Sequence, residues 1–547
     1  MLLEARFQEY EGSWYMRPVM WEPPEALSAA EQAVVKRIKR AKLFTFLRRK
    51  RRELFSAAFQ EELATLYKES ERGQPPVPPA KLALVTIVQA YTGASDDEAI
   101  EALTMDRRWQ LVLDCLDAEQ APFGKGTLVR FRQALIARDL DRRLIERTVE
   151  LATADEAHEV NPRHLRAALD SSPLWGVARV EDTFNLLGHV VRKVLGMLAR
   201  QQGRELAAVA HEAGAAAVTG SSLKAALDLD WDDPEQQTLA LATVLDAVQA
   251  VEAWAAAQAT DESPVVQAAL ATAHQIETQD ITVTREGQPA LIDGVAPDRR
   301  IAVEDAEMRH GRKSKSLLVD GYKRHVLHDL DRKLILAVGV TPANVPEATV
   351  TDQITADLAH QPFHLGELHI DRAYLSSTLV RERPPDLHIS CKAWPVRSGK
   401  DGHFPKTVFT LDWAAGTIRC PNDVRLPFQP GATIQFPASS CTPCPLRARC
   451  TSSTHGRSVA IHPDERLLQE LRERQQTPAG RAKLRERVAV EHTLAHVGHW
   501  QGRRARYCGR RKNLFDLRRT AVVQNLHVLM ARQHDAPEPT TITGPAL

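Results

Sequence analysis

One ordered run of patterns, between Gly321 and Asp371, constrains this chain more than any other. "GYKRHVLHD" and "KLILAVGVTPAN" flank the turn "LDR" and read as a β-hairpin. "TVTDQITADLAHQ" has helical spacing, and "LGELHID" returns to strand. An earlier segment, "HLRAALD" at 164–170, reads as a strand too. Strand, hairpin, helix and strand in that order describe a mixed α/β sheet with helices packed on it.

The first and last strands of that series end on a carboxylate, Asp170 and Asp371. Such a group is costly at the end of a buried strand unless something pairs with it. A third carboxylate, Glu491, lies in "RAKLRERVAVEHTLAHVGHW". On a helical wheel it falls inside the stripe of Leu484, Val488, Leu494, Ala495 and Val497, which predicts a buried position. Arg487 shares the stripe and is one candidate partner, although Arg before Glu is the poorer i,i+4 order. A metal ion is the other. Hard divalent cations take oxygen ligands, and Mg²⁺ is usually held by one or two carboxylates plus substrate phosphates. Two such ions stabilise both the attacking and the leaving oxygen of an in-line displacement at phosphorus. Spacing alone does not separate this role from a structural one.

At 547 residues the chain exceeds one ordinary core, so two to four domains are expected. Residues 1–155 read as an N-terminal all-α, DNA-binding domain. Ser95 and Glu98 form a capping box, and a helix is expected from Thr127 with Arg130 and Arg132 near its start. The Pro-rich break "RGQPPVPP" precedes this pair, which is compatible with a helix-turn-helix or with plain packing. Residues 156–535 read as the catalytic domain, interrupted at 185–280 by an Ala-rich helical insert and at 405–460 by a Cys-rich one. The tail 536–547 reads as disordered.

Charge is segregated although the net value is only +1. Lys36 to Arg52 carries ten bases and no acid. Glu205 to Asp280 carries thirteen acids against Lys224 alone. Arg447 to Arg519 carries eighteen bases against seven acids. The basic parts suggest a polyanion partner, or solvated helix faces. The start "MLLEARFQEYEGSW" lacks the apolar core of a secretory signal, and the apolar runs read as too short for a membrane span.

Seven cysteines argue for a reducing compartment rather than a disulfide scaffold. Cys441-x2-Cys444-x5-Cys450, with Cys420 upstream, offers four thiolates to a zinc ion, with His455 as a spare ligand. Reduced, partly buried thiols are the alternative. Cys115, Cys391 and Cys508 read as isolated.

Several segments together resemble the DDE transposases of bacterial insertion sequences, within the ribonuclease-H-like transposase and integrase superfamily. "FRQAL" closes a similar N-terminal helical region, and "ALDSSPLWGVARVEDTFNLL" is similar to the first-aspartate block. "DAEMRHGRKSKSLLVDGYKRHVLHD" with "VTPANVPEATV" resembles the stretch that follows, and "HIDRAYLSS" the second-aspartate block. "RVAVEHTLAHVGHW", "RARYCGRRKN" and "VVQNLHVLM" resemble the glutamate block and closing helix. The resemblance implies a ribonuclease-H-like sheet with Asp170, Asp371 and Glu491 as catalytic triad, holding two Mg²⁺ ions. It places Arg312, Lys313, Lys315, Lys323 and Arg324 near the site as phosphate clamps, and Arg487, Arg510, Arg511 and Lys512 against DNA. It further implies double-stranded DNA partners (terminal inverted repeats and target), a homodimer on DNA, and a cytoplasmic, nucleoid-associated protein. Relatives with a Tyr, Arg, Glu, Lys signature carry Tyr where this chain has Leu484 and Lys where it has Gly498. A nuclease without strand transfer and a DNA-binding protein with a dead site are the rival expectations.

Overall fold

The computed structural model describes residues 8–10, 13–15, 18–68, 75–116, 118–154, 163–220, 223–258, 263–314, 316–396 and 402–535. Lys315 and the tail 536–547 therefore lie outside the described residues. The central sheet has six strands: β1 (Arg163–Trp175), β2 (Arg309–Arg312), β3 (Leu318–Asp329), β4 (Ile335–Pro342), β5 (Phe363–Ile370) and β6 (His388–Ser390). Across the sheet β6, β5, β1 and β3 are neighbours, and the outer edge of β3 is shared by β2 and β4. β5 runs parallel to both β1 and β6, while β3 is antiparallel to β1, β2 and β4. This is the mixed sheet that the hairpin-helix-strand pattern predicts.

β1 does not end at Asp170, as its sequence suggests. Its parallel ladder with β5 stops at Leu169, but its antiparallel ladder with β3 continues from Asp170 to Trp175. The antiparallel partner keeps the strand extended after the parallel one has turned away. Close approach at the far end of this ladder requires glycine. A Cβ on Gly321 would lie 2.3 Å from the Gly176 nitrogen.

Among the described residues, eight helices between Ala29 and Ala152 form the N-terminal region, including α1 (Asp96–Met105), α2 (Lys125–Ala137) and α3 (Asp141–Ala152). The Ser95 and Glu98 capping box is present, with bonds of 3.2 and 2.7 Å. α2 starts at Lys125 rather than at Thr127, with Gly124 at its N-cap. Arg132 is not a free basic side chain: it grips Asp96 with two bonds of 2.8 Å and lies over the Tyr507 ring. Two arginines of the run 36–52 are likewise internal. Arg48 binds Glu31 (2.9 Å), and Arg51 donates to the carbonyls of Leu111 and Val112. A buried guanidinium needs such partners, and sequence does not distinguish it from a solvated one.

The acidic insert contains α4 (Thr183–Gln202), α5 (Pro234–Ala257) and α6 (Pro264–Asp280) around a core of its own. α5 corrects one expectation: by length and composition it is apolar enough to cross a membrane. Its Leu, Val and Ala residues are interrupted by Asp246, Gln249 and Glu252, so no long apolar run stands out. Leu241, Val244, Val248 and Val251 pack it into the insert. Arg299 clamps the base of the insert, bonding Asp280 (2.8 Å), which accepts from Thr183 (2.8 Å).

α7 (Thr351–Leu358) follows the hairpin, and the chain later forms α8 (Pro478–Arg485), α9 (Val488–Gln501) and α10 (Arg510–Asp535). Alternate residues of β3 define two faces of the sheet. Arg324 and His328 face α9, bonding Gln501 (3.0 Å) and Thr493 (3.2 Å). His325 points to the other face, where Val350, just before α7, packs against Gly339 of β4. α10 joins sheet to N-terminal helices. Asn525 binds Ile335 of β4 on one side and Thr148 of α3 on the other, at 2.7 and 2.9 Å. The two regions therefore share one hydrophobic core.

Candidate active site

Leu169 of β1 and Ile370 of β5 pair in parallel register, so the next residues, Asp170 and Asp371, stand side by side. Asp170 is buried and Asp371 half-buried. Asp170 faces α9, because it pairs with Val326, which shares a side of β3 with Arg324 and His328.

The helix carrying Glu491 is not continuous. α8 ends at Arg485 and α9 begins at Val488, with Glu486 and Arg487 in a turn between them. Bonds of the i to i+3 kind, Ala489 to Glu486 and Val490 to Arg487, tighten this junction. Val488 and Ala495, which the expected stripe placed with Glu491, are exposed as well. The residues of α9 that are buried are Val490, Thr493, Leu494 and Val497, while the Glu491 side chain is 48% exposed. The predicted burial of Glu491 is thus corrected: it stands on the rim of the site.

Arg487 links the carboxylates. One terminal nitrogen binds Asp170 and the other binds Glu491 at 2.6 Å. Burial pushes the Asp170 carboxyl above its usual range, Asp371 adds to the rise, and Arg487, the Ser171 N–H and Lys313 oppose it. The donors of this pocket are all carboxylate oxygens, the set a hard divalent cation takes. Asp170, Asp371 and Glu491 offer that donor type, although among the described residues their ligand atoms do not all lie within 4.8 Å of one another.

On the opposite face, Lys313 donates to Ser171 Oγ (2.6 Å) and pairs with Glu347 (3.0 Å). Tyr374 is fully buried, and its hydroxyl meets His325 Nδ1 at 2.8 Å, while His325 Nε2 meets Thr341 (3.0 Å). Burial, with Lys313 and Lys323 nearby, pushes His325 down to about 3, so the ring is neutral. Sequence reasoning missed this support beneath the aspartates. The signal available was a polar residue at each inward position of "YKRH".

The expected DNA contacts divide. Lys323 is buried and donates to the Val345 carbonyl (2.9 Å). Arg324 is buried between Ser172, Gln501 and the Gly502 carbonyl, and burial pushes it down to about 10. Arg511 holds Asp141 of α3 (2.9 Å). These three are corrected to internal braces, since each spends its donors inside the protein. Arg510 contacts Glu307 through its backbone N–H (2.7 Å) and its side-chain Nε (3.7 Å) while remaining exposed, and Arg312 and Lys512 are exposed.

A second cluster lies on the same face as the aspartates, two and four residues back along β5. Glu367, His369 and Glu486 bring ligand atoms within 4.8 Å of one another. It already holds cations: Lys483 binds Glu367 (2.9 Å), and Arg166 of β1 binds Glu367 (3.0 Å), Glu486 and Asp331 (2.7 Å). Burial alone would raise Glu367, but Lys483 and Arg166 hold it down at about 2. Glu486 directly precedes Arg487, so this network fixes the junction that delivers Arg487 and Glu491.

Three family models match the chain. One described as Transposase DDE domain matches residues 277–391, and another of the same description matches residues 420–530. A Transposase domain (DUF772) matches residues 36–134. No curated protein and no solved structure matches. Asp371 and Glu491 fall inside matched ranges, whereas Asp170 falls between them.

Proposed function

The chain belongs to the DDE transposases of insertion sequences, and from that premise we propose that it cuts DNA at the element's ends and joins those ends to target DNA, with Asp170, Asp371 and Glu491 as catalytic carboxylates. Enzymes of this kind act on DNA and generally use divalent metal ions. What supports the assignment is the parallel register of β1 and β5, which sets Asp170 beside Asp371, together with the Arg487 bridge from Asp170 to Glu491. The strand order, with β1 central, antiparallel to β3 and parallel to β5, supports a ribonuclease-H-like reading of the sheet.

In this proposal the three carboxylates hold two Mg²⁺ ions. Bound there, the ions supply Lewis-acid stabilisation of the attacking and leaving oxygens. In cleavage, a water oxygen attacks the scissile phosphorus and the bond to the 3′ oxygen breaks. In joining, the freed 3′-hydroxyl attacks a target phosphodiester and displaces another 3′ oxygen. The chain's own groups set the stage. Ser171 N–H fixes one oxygen of Asp170 at 2.8 Å, and Arg487 holds the other until an ion takes its place. The exposed Arg312 and Lys512 are the proposed phosphate contacts, in line with their solvent-facing positions. Two ends must be brought together, so a homodimer on double-stranded terminal repeats is proposed.

The test uses oligonucleotides carrying the terminal repeats of the element, with Mg²⁺ and a supercoiled target. Cleavage and joined product are expected from the parent. Asp371→Asn should lower cleavage by more than about a hundredfold, beyond the usual loss for a group outside the coordination shell, and bind the repeats as before. Cleavage without joining from a 3′-hydroxyl donor would instead make it a nuclease of the same fold. Full activity in Asp371→Asn would remove this residue from the site.

A further inference from the structure

The Cys-rich segment carries chemistry that the carboxylate site does not use. Its elements are minimal: strands Thr410–Asp412, Thr417–Arg419, Arg425–Pro427, Thr433–Gln435 and Ser458–Ala460, and one-turn helices Ala438–Cys441 and Arg447–Cys450. Its core holds only Phe409, Ile418, Phe428, Phe436, Val459 and Ile461 as buried members. A unit that small gains most from a cross-link or a metal. Among its four cysteines there is no disulfide.

All four thiols line one cavity of about 30 Å³. That is room for an ion or a water, not for an organic ligand. Cys420 follows a strand and sits in a tight turn, accepting from the Asp423 N–H and donating to the Val424 carbonyl, both at 2.9 Å. Cys441 and Cys444 share a second turn, closed by the Cys444 N–H on the Cys441 carbonyl (3.3 Å). Cys450 ends the next helical turn. Two turns and a helix end thus bring the four cysteines to the lining of one cavity from separate pieces of chain. His455 does not line this cavity; it is exposed, and its carbonyl accepts from Gln435.

A second observation points to an anionic occupant. Arg457 lines the same cavity, and two of its nitrogens hold the Cys450 and Phe404 carbonyls at 2.9 and 2.8 Å. Its Nε is buried with no acceptor. A buried N–H left unpaired is costly. Four thiolates around a dication carry a net charge of about −2, and their sulfurs are acceptors.

We propose that Cys420, Cys441, Cys444 and Cys450 form a structural zinc site that cross-links the segment inserted ahead of the helices bearing Glu491. Binding replaces the thiol protons, which pass to the buffer. The thiols are wider apart here than zinc would hold them. Among the described residues the thiols form no group of three with ligand atoms within 4.8 Å. A tetrahedral site with bonds of about 2.3 Å has sulfurs about 3.8 Å apart. Zinc must therefore draw the two turns together, and the site closes on binding.

The proposal is independent of the catalytic assignment, and its test keeps the two apart. Full-length protein purified without chelator should carry one zinc per chain by elemental analysis. The Co²⁺-exchanged protein should show the intense visible bands of tetrahedral thiolate coordination. Cys441→Ser combined with Cys444→Ser should drop zinc to under a tenth of the parent, while Cys391→Ser and Asp371→Asn keep it. If the double variant is insoluble, the cobalt spectrum of the unaltered chain and zinc release by a thiol-blocking mercurial still decide the matter. Absence of zinc and of thiolate bands in unaltered protein, retention of zinc by a soluble double variant, or a disulfide among these four cysteines would each overturn it.

Discussion

Arg487 and Asp170, 317 residues apart in sequence, are in direct contact through a guanidinium that also holds Glu491. The arginine occupies oxygens that a divalent cation would need. Its removal should therefore favour the ion. Arg487→Gln should bind Mn²⁺ about five- to tenfold more tightly in the absence of DNA, the scale of one partly exposed charge-assisted pair. Calorimetric titration checks this. Weaker binding would mean that the guanidinium orients the carboxylates rather than competing for them.

Arg166 touches no part of the proposed metal site, yet it ties Glu367 and Glu486 together ahead of Arg487. Arg166→Met should leave Glu367 and Glu486 short of counter-charge and loosen the junction. Mn²⁺ affinity should fall about tenfold, as for other supports outside the coordination shell. The same titration measures it, with DNA binding as the control that should not move.

Asp96 gives a pH signature in the N-terminal region. The paired Arg132 holds its carboxyl at about 2, below the ordinary value of 3.8. A depressed carboxylate adds stability that is present above its unfolded value and is lost as pH falls through the folded one. The gap corresponds to about 2 kcal/mol at most. Asp96→Asn should thus melt several degrees lower than the parent at pH 7. The difference should shrink between pH 4 and 2, followed by thermal unfolding at each pH.

Asp228, Asp230 and Asp232 are exposed on the insert, and Asp233 caps α5. If the insert screens a basic surface from DNA, replacing the four by asparagine should raise non-specific DNA affinity severalfold at low salt, and the gain should vanish at high salt. Asparagine keeps the cap. Filter binding on a random duplex tests this, and unchanged affinity would leave the insert without a screening role.

What could be read in advance depended on whether the deciding partner was local. The hairpin was legible because its two strands and the turn at "LDR" lie within twenty-five residues of each other. The capping box at Ser95 was legible for the same reason. The end of β1 was not, because two neighbours stop at different places and only one of them is parallel. The exposure of Glu491 was not, because the wheel drew its stripe through Val488 and Ala495, whereas the face of the helix that meets the sheet runs through Val490, Thr493 and Val497. Arg324 and Arg312 look alike in sequence. What separates them is burial: Arg324 is enclosed by Ser172 and Gln501, which come from distant strands and helices, while Arg312 is exposed.

α10 finally bears on how the chain is made. Asn525 reaches Thr148 across 377 positions, and Arg511 and Arg518 reach Asp141 across a similar gap. Asp141 is fully buried, so without those arginines α3 has an acid with no counter-charge. At ordinary ribosomal speeds the intervening chain takes roughly 20 to 75 s to appear. Throughout that interval the first eight helices emerge with the seat of α10 open and apolar. The nascent N-terminal region therefore reaches its final packing only when Arg510–Asp535 arrives.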